Sequence, residues 1–403
     1  MNEIIIKLAE KKACTGCGVC VDACPKSCIT MVRDGLHDYP HIDTEKCIAC
    51  QKCMKTCPSI NFLKKENPKF QNYYASWHKD LDAVKTSTSG GVGSALAEYA
   101  IDNGYYVAGV IMSASGKIQH VIAKNKREIQ AFKGSKYVQS DSIGIFRECV
   151  NEIKQGYKVL FIGTPCQTEA MKRILPTNMH DKLLTCSIIC HGVNSPYVWN
   201  DYRNDLEKKH HSNLVNYYFR CKSHGWQKKT GDSNLRVAYE ISSGEIFDVP
   251  SWRNLFHYWF GQHYIMRSSC FNCQYRTEER HSDIVIGDFW NVEKVLEDMD
   301  TFNGVSVLIT TTSRGEDFLH KNPFLNLIHV DSQKTINVLK GLVNKKSKKT
   351  QCEELIKAET FATEYCSNGF AYMAKKYPCP SYIDQIINKI KYISNCSKLI
   401  LQI

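Results

Sequence analysis

The chain has 403 residues, 20 of them cysteine, and a formal net charge of +11 at neutral pH. That length exceeds a small metal-stapled fold and leaves room for further structural units. The many cysteines, behind residues 1–10 that lack a basic and apolar leader, point to a reducing, cytoplasmic setting. No apolar run approaches the roughly 20 residues of a membrane span, and no recognised module surrounds the lysines, so neither a membrane span nor a nucleic-acid partner is expected.

Cys14, Cys17, Cys20 and Cys24-Pro25 are each followed, 33 residues later, by Cys47, Cys50, Cys53 and Cys57-Pro58. The spacing C-x2-C-x2-C-x3-C-P is that of bacterial two-cluster ferredoxins, in which the fourth cysteine of each run ligates the other cluster. It assigns Cys14, Cys17, Cys20 and Cys57 to one 4Fe-4S cluster and Cys24, Cys47, Cys50 and Cys53 to a second. Three thiolates at such intervals wrap a loop around one face of a cubane, and the fourth must arrive from elsewhere. Zinc usually takes separated cysteine pairs and fits that triple poorly. Cys28 has no counterpart in the second run and reads as a small apolar packing residue. Residues 29–32 and 36–42 flank Asp34-Gly35, a pair suited to a hairpin turn. Bound clusters carry about −2 each, so three would bring the charge balance down to about +5. Such clusters oxidise easily, which suits an anaerobe.

Residues 61–72 are polar, contain a proline and read as a linker. Beyond them, 73–77 reads as a strand, 94–103 as a helix and 105–112 as an apolar strand. Residues 158–162 form another strand, ending at Gly163-Thr164-Pro165-Cys166 before a helical pattern over 168–175. Strand, small-residue loop and helix bring backbone N–H groups and loop side chains to a ligand, so an α/β core is expected. Residues 180–290 hold short strands and several aromatics and finish on a strand at 283–290. A further strand spans 305–311, then comes Ser313-Arg314-Gly315 with a helical stretch, and from about residue 333 the pattern is helical. The lysine-rich residues 344–349 read as a solvated surface, or as a dock for an acidic electron carrier. Ile383, Ile386, Ile387, Ile390 and Ile393 make an amphipathic last helix suited to core or subunit packing.

Four more cysteines stand in informative settings: Cys166 in GTPCQ, Cys190 in CHG, and Cys270 with Cys273 in CFNC. Spacing alone leaves a converging third iron–sulfur site level with buried thiols or a zinc site. The segments TSTSGGVGSALAEYA (86–100), KGSKYVQSD (133–141), GTPCQTEAM (163–171), CHGVNSP (190–196) and CFNCQYRTEERHSDIVIGDFW (270–290) together resemble, in this order, the beta subunit family of coenzyme F-420 hydrogenases and dehydrogenases. A ferredoxin module is often fused in front of that family.

The resemblance implies an α/β (α+β) multidomain chain. Its parts would be a two-cluster ferredoxin domain over 1–62, a beta-subunit N-terminal-like region over 73–150, a C-terminal-like region with flavin and third cluster over 151–330, and a helical segment over 331–403. It also implies FAD, and a third 4Fe-4S cluster on Cys166, Cys190, Cys270 and Cys273. Ser87, Ser89, Gly90 and Gly91 before a helix offer hydroxyls and unhindered N–H groups to a pyrophosphate, with a simple flexible turn as the alternative. Lys133 and Lys136 would neutralise phosphate and Tyr137 cover a ring, or all three are ordinary surface residues. Thr164 and Gln167 complete the candidate cofactor contacts. His191 is a donor to cluster sulfur, a proton donor to a reduced ring, or a structural histidine. Asp288 and Trp290 read as packing. Gly93 and Asn194 depart from the family pattern, which expects a bulkier residue and a proline there. Cys149, Cys186, Cys221, Cys352, Cys366, Cys379 and Cys396 read as structural.

The expected function is an iron–sulfur flavoprotein oxidoreductase relaying electrons between clusters and a two-electron donor or acceptor at FAD, either deazaflavin-like or another organic molecule. No nickel-site motif is present, so hydrogen activation is not expected of the chain itself. The alternatives are a non-catalytic electron-transfer subunit of a larger redox complex and a binding-only protein with a degenerate flavin site. The partners would be an electron carrier or redox subunit and a small-molecule substrate.

Overall fold

Asp34-Gly35 turns the chain between β1 (Ile29–Asp34) and β2 (His37–Ile42), which pair antiparallel from Ile29 opposite Ile42 to Asp34 opposite His37. Gly35 takes φ +70°, the left-handed conformation such a turn requires. The computed structural model describes residues 6–62, 71–227, 234–343 and 346–381. The expected last helix with its isoleucines, Cys396, the first two of the residues 344–349 and most of the 61–72 linker lie outside the described residues.

The strands that follow are β3 (Asn72–His78), β4 (Tyr105–Met112), β5 (Ile118–Ala123), β6 (Lys158–Gly163) and β7 (Leu183–Ile188). Then come β8 (Leu214–Cys221), β9 (Arg236–Ile241), β10 (Ile246–Pro250), β11 (Ile284–Asp288), β12 (Ser306–Thr310) and β13 (Leu325–His329). Eight of them form one mixed sheet in the order β13-β3-β12-β11-β7-β6-β4-β5. Its centre, β4, β6, β7 and β11, is parallel, and the outer pairings are antiparallel. The regions 73–150 and 151–330 therefore build a single sheet, with β4 paired directly to β6.

Strand alternation sorts the sheet's two faces. Val107, Leu160 and Leu184 share a core with Ala95, Leu96 and Ala100 of helix Val92–Asp102. Their neighbours Ala108, Val159, Phe161 and Leu183 pack instead with Phe146, Cys149 and Ile153 of helix Ile145–Lys154 and with Ala170 and Met171 of helix Pro165–Ile174. Covered on both faces, the central strands read as unbroken apolar runs. A separate antiparallel meander, β10-β9-β8, packs an aromatic core with helices Pro196–His210 and Lys348–Lys376. Among the described residues, no helix is long and apolar enough to cross a membrane.

The ferredoxin module is joined to this body at its first loop and hairpin. Helix Ile145–Lys154 begins at Gly144, which offers no capping side chain, and the carboxylate of Asp22 accepts the N–H groups of Gly144 (2.7 Å), Phe146 (3.0 Å) and Arg147 (3.2 Å) in its place. Ser142 Oγ donates to the Cys17 carbonyl and Ser195 Oγ to that of Leu36. Leu36 belongs to the aromatic core, and Cys17 and Val19 to the core beside Phe146.

Candidate iron–sulfur centres and flavin face

The cysteine repeat is also a repeat of backbone shape. Helices Val19–Ala23 and Lys52–Thr56 stand 33 residues apart, and each ends on the fourth cysteine of its run, Cys24 or Cys57. The loops before them bend at Gly16 and Gly18 (φ +67° and +76°) and at Ala49 and Gln51 (φ +51° and +62°). The two left-handed residues turn the loop so that its thiols face one cavity. In the second copy non-glycine residues hold that shape, at a cost of about 1–2 kcal/mol each. Cys14, Cys17, Cys20 and Cys57 line one cavity. Cys24, Cys47, Cys50 and Cys53 line another, in which the buried Cys28 also takes part, its Sγ 3.3 Å from that of Cys24. The first cavity lies against the body of the protein, whereas Cys50 at the second is exposed.

A third cavity, about 100 Å³, is lined by Cys166, Cys190, Cys270 and Cys273. Cys166 sits in the first turn of the helix after β6, whose N-terminus is held by a capping box of Thr164 and Gln167 with Pro165 behind it. Cys190 follows β7, the next parallel strand, so both thiols stand at the carboxyl ends of adjacent strands, where α/β sheets bind ligands. The segment carrying Cys270 is laid alongside by the Ser195 N–H to Ile265 carbonyl and Arg267 N–H to Val193 carbonyl bonds. Gly192 holds φ +149°, a conformation that L side chains rarely adopt, and a Cβ there would also crowd the Met266 side chain.

Burial, then the charges of neighbouring thiols, pushes Cys190 well above the ordinary thiol range and Cys270 up to about 12; burial pushes Cys166 up to about 11. Thiolates crowded in this way require positive charge between them, as an iron–sulfur core supplies. Arg276 and Arg280 line the same cavity. Among the described residues no group of His, Cys, Asp or Glu closes tightly enough for a single metal ion. The cysteine sets surround cavities, which suits a cubane bound at its corners. Thr15 and Ser59 line both the third cavity and that of Cys14, so the two share a wall.

The candidate flavin residues fall into two groups. Loop 87–91 touches loop 133–137 through the Ser135 N–H to Thr88 Oγ1 bond of 2.8 Å. Within it, Ser87 Oγ donates to the Ala83 carbonyl, Ser89 Oγ to that of Val305, and the Gly90 N–H to Ser306 Oγ. Gly91, at φ +78°, starts helix Val92–Asp102 without a capping side chain. Lys133 lies on the same loop as Lys136, whose ammonium donates to the carbonyls of Ala131, Phe132 and Lys133 and is pulled down to about 7 by burial. Tyr137 packs among Phe219, His257 and Phe260. The sequence reading missed two cations here. Lys222 Nζ donates to the carbonyls of Ser89 and Asn303 as well as Val84, and Arg220 pairs with Asp288 at 2.5 Å while lying 4.6 Å over Trp290. Both stand at the end of β8, a strand with no motif to mark them.

Thr164, Gln167 and His191 belong with the third cavity. His191 lines it, lies 2.8 Å from His263 and is pulled down to about 4, chiefly by burial. Asn194, where the family pattern expects proline, is fully buried: its side chain donates to the Tyr137 carbonyl and its own carbonyl accepts the Gln139 N–H. Cys149 and Cys186 are core residues, and every described cysteine is free.

Residues 73–146 and 156–333 match the family regions described as the N-terminus and C-terminus of the coenzyme F420 hydrogenase/dehydrogenase beta subunit. The chain belongs to this family. Residues 13–61 match a 4Fe-4S dicluster domain, so an iron–sulfur, electron-transferring module precedes the beta-subunit regions. An uncharacterized protein of Methanocaldococcus jannaschii is 26% identical over 199 residues, 42% of this chain and 54% of that protein. The coenzyme F420-dependent sulfite reductase of the same organism is 22% identical over 185 residues, 45% of this chain and 28% of that enzyme. This beta-subunit family member thus spans about half, or less, of the length of these curated relatives. A chain of the F420-reducing [NiFe] hydrogenase complex from Methanosarcina barkeri is similar with a TM-score of 0.43 and 17% identity, covering 77% of this chain and 97% of that one.

Proposed function

We propose that the protein is an iron–sulfur flavoprotein oxidoreductase in which two ferredoxin-type clusters, a third cluster and FAD form one relay. The observation that carries this reading is the grouping of the twelve candidate ligand cysteines, with Cys28 beside them, around three cavities, two of which share the wall at Thr15 and Ser59. Cys24, Cys47, Cys50 and Cys53 would hold the outer cluster, Cys14, Cys17, Cys20 and Cys57 the middle one, and Cys166, Cys190, Cys270 and Cys273 the inner one. Clusters transfer electrons singly and a flavin joins such steps to a two-electron reaction. Around the flavin the uncapped N-terminus of helix Val92–Asp102 would face phosphate, with Arg220 and Lys222 at its margin. The two-electron substrate would be deazaflavin-like or another organic molecule.

Electrons would enter or leave at Cys50, the exposed edge of the outer cavity. Ile48 is 57% exposed beside it, and Lys26, Lys46, Lys52 and Lys55 are exposed around it, a surface suited to an acidic electron carrier. One observation favours the second reading, a subunit that transfers electrons without binding a substrate of its own. The hydroxyls of Ser87 and Ser89 and the Lys136 ammonium are all engaged within the chain. Iron, sulfide and flavin analysis of the anaerobically purified protein tests the proposal, which requires about twelve irons and one flavin per chain. A Cys270→Ser, Cys273→Ser variant should lose about four of those irons and keep the rest. Protein that stays flavin-free after reconstitution with FAD and FMN would leave the second reading.

A further inference from the structure

Arg267 is fully buried and, among the described residues, is paired with no carboxylate. Its guanidinium reaches into the ferredoxin module: Nε donates to the Cys14 carbonyl (2.8 Å), Nη2 to the Asp38 carbonyl (2.9 Å), and Nη1 to Gln139 Oε1 (3.2 Å). Nη2 also lies 3.6 Å from Cys14 Sγ, and the group stacks 4.3 Å from the Tyr39 ring. Gln139 in turn donates to the Gly16 carbonyl, and a Cβ on Gly16 would meet Arg267 Nη1 at 2.5 Å. The same Cβ would also meet Gln139 Nε2, so the ferredoxin loop is shaped to admit the Arg267 and Gln139 side chains together. The nearby His37 is buried and held neutral, pulled down to about 3 by burial and by Arg267, so Arg267 is not joined there by a second positive charge.

A buried cation that faces only carbonyls and neutral rings is costly unless a negative charge stands close by. We infer that Arg267 is the internal counter-cation of the cluster on Cys14, Cys17, Cys20 and Cys57, and raises that cluster's reduction potential above that of its twin. The inference rests on the ligand reading given above. Reduction adds one electron, supplied by the external carrier, and makes the cluster more negative by one charge. A fixed positive charge donating to a ligand sulfur stabilises the reduced form more than the oxidised one. Among the described residues the twin has no such partner. The lysines near Cys24, Cys47, Cys50 and Cys53 are exposed, where water and salt screen them. Arg267 also stands three residues before Cys270, with its N–H bonded to the Val193 carbonyl, so the residue that sets the middle potential is built into the inner cysteine loops.

The test is an EPR-monitored redox titration of the full chain with Arg267→Met and Arg267→Lys, alongside iron and sulfide analysis. The expected result is a downward shift of one ferredoxin-type potential in Arg267→Met, a smaller shift of the same potential in Arg267→Lys, and an unmoved twin. In the unaltered protein the gap between the two potentials should persist at high salt, because a buried charge is poorly screened. A gap that collapses with salt overturns the inference, and so do unchanged potentials in a variant that keeps its iron. Loss of iron from Arg267→Met leaves the Arg267→Lys and salt measurements to decide. Cys14→Ser separates the two layers of argument: unchanged iron there sinks the ligand reading itself, whereas loss of one signal there with unmoved potentials in the Arg267 variants sinks only the role of Arg267.

Discussion

Cys57→Ser and Cys24→Ser should each remove one cluster, about four of twelve irons, with opposite consequences. Cys57 is close in sequence to Cys53, yet it lines the cavity of Cys14, Cys17 and Cys20. That cavity adjoins the inner one: Cys17 and Cys166 lie near enough for their charges to interact, and Thr15 and Ser59 belong to both walls. In the proposed relay Cys57→Ser would therefore remove the middle link and leave the outer cluster isolated. Cys24→Ser would remove the outer cluster and leave the middle one beside the inner centre. EPR of the reduced variants reads the difference, since neighbouring reduced clusters broaden one another's signals. The surviving ferredoxin signal should be coupled to the inner centre in Cys24→Ser and uncoupled in Cys57→Ser. An acidic carrier should reduce the inner centre slowly in the first variant and essentially not at all in the second. The reverse pattern, or full iron content in Cys57→Ser, would refute the crossed ligand sets.

Gly90→Val should destabilise the protein by about 1–3 kcal/mol in urea unfolding, because a Cβ there would come within 2.6 Å of the Ser76 carbonyl oxygen and 3.0 Å of the Ser306 nitrogen, both backbone atoms of the main sheet. A change below about 0.5 kcal/mol would contradict that packing. Asp283, whose side chain is fully buried, accepts from Thr185, Thr312 and Arg314; burial raises its pKa, but Lys172, Arg314 and Thr185 together hold it below the usual carboxylate range. A depressed pKa contributes stability that is present above about pH 4 and lost as pH falls through the folded value, so Asp283→Asn should cost about 3 kcal/mol at neutral pH and flatten the acid limb of the stability profile; an unchanged limb would count against it. Lys52→Glu with Lys55→Glu should raise the KM for an acidic carrier several-fold and weaken its salt dependence, while reduction by dithionite stays unchanged; an unaltered KM would place the carrier elsewhere.

Features set by neighbours in sequence were the legible ones. The ligand repeat is local, and so is the apolar run of β4, whose expected and observed bounds coincide at 105–112. Helix Pro165–Ile174 starts three residues before its apolar periodicity, because Thr164, Pro165 and Gln167 begin it by capping. Arg220, Lys222 and Arg267 carry no motif, and their importance comes from partners far along the chain: Cys14 is 253 residues from Arg267. The loop at Ser87–Gly91 shows the converse. Its residue types suit an anion, but its first task is internal, since Gly90 is demanded by the Ser76 carbonyl, and the hydroxyls of Ser87 and Ser89 tie the loop to the Ala83 and Val305 carbonyls.

A 33-residue repeat with its own hairpin suggests a module able to act alone on a linker, and the contacts of Asp22, Leu36 and Cys17 argue for a different use. Asp22 completes the N-terminus of a helix more than 120 residues away, Leu36 sits in the aromatic core, and the Cys17 carbonyl is held by Ser142. Cutting the module away would leave that helix uncapped and expose Leu36, Cys17 and Val19, so the interface is part of the fold of both pieces. A swinging ferredoxin would need a small, wet interface of the kind that lets domains move. Here the cavity that adjoins the body is fixed by buried hydrogen bonds on both sides, and the cavity with the exposed Cys50 faces out. Such an arrangement suits a rigid relay, in which transfer depends on cluster spacing held constant by packing and on potentials set by buried charges such as Arg267.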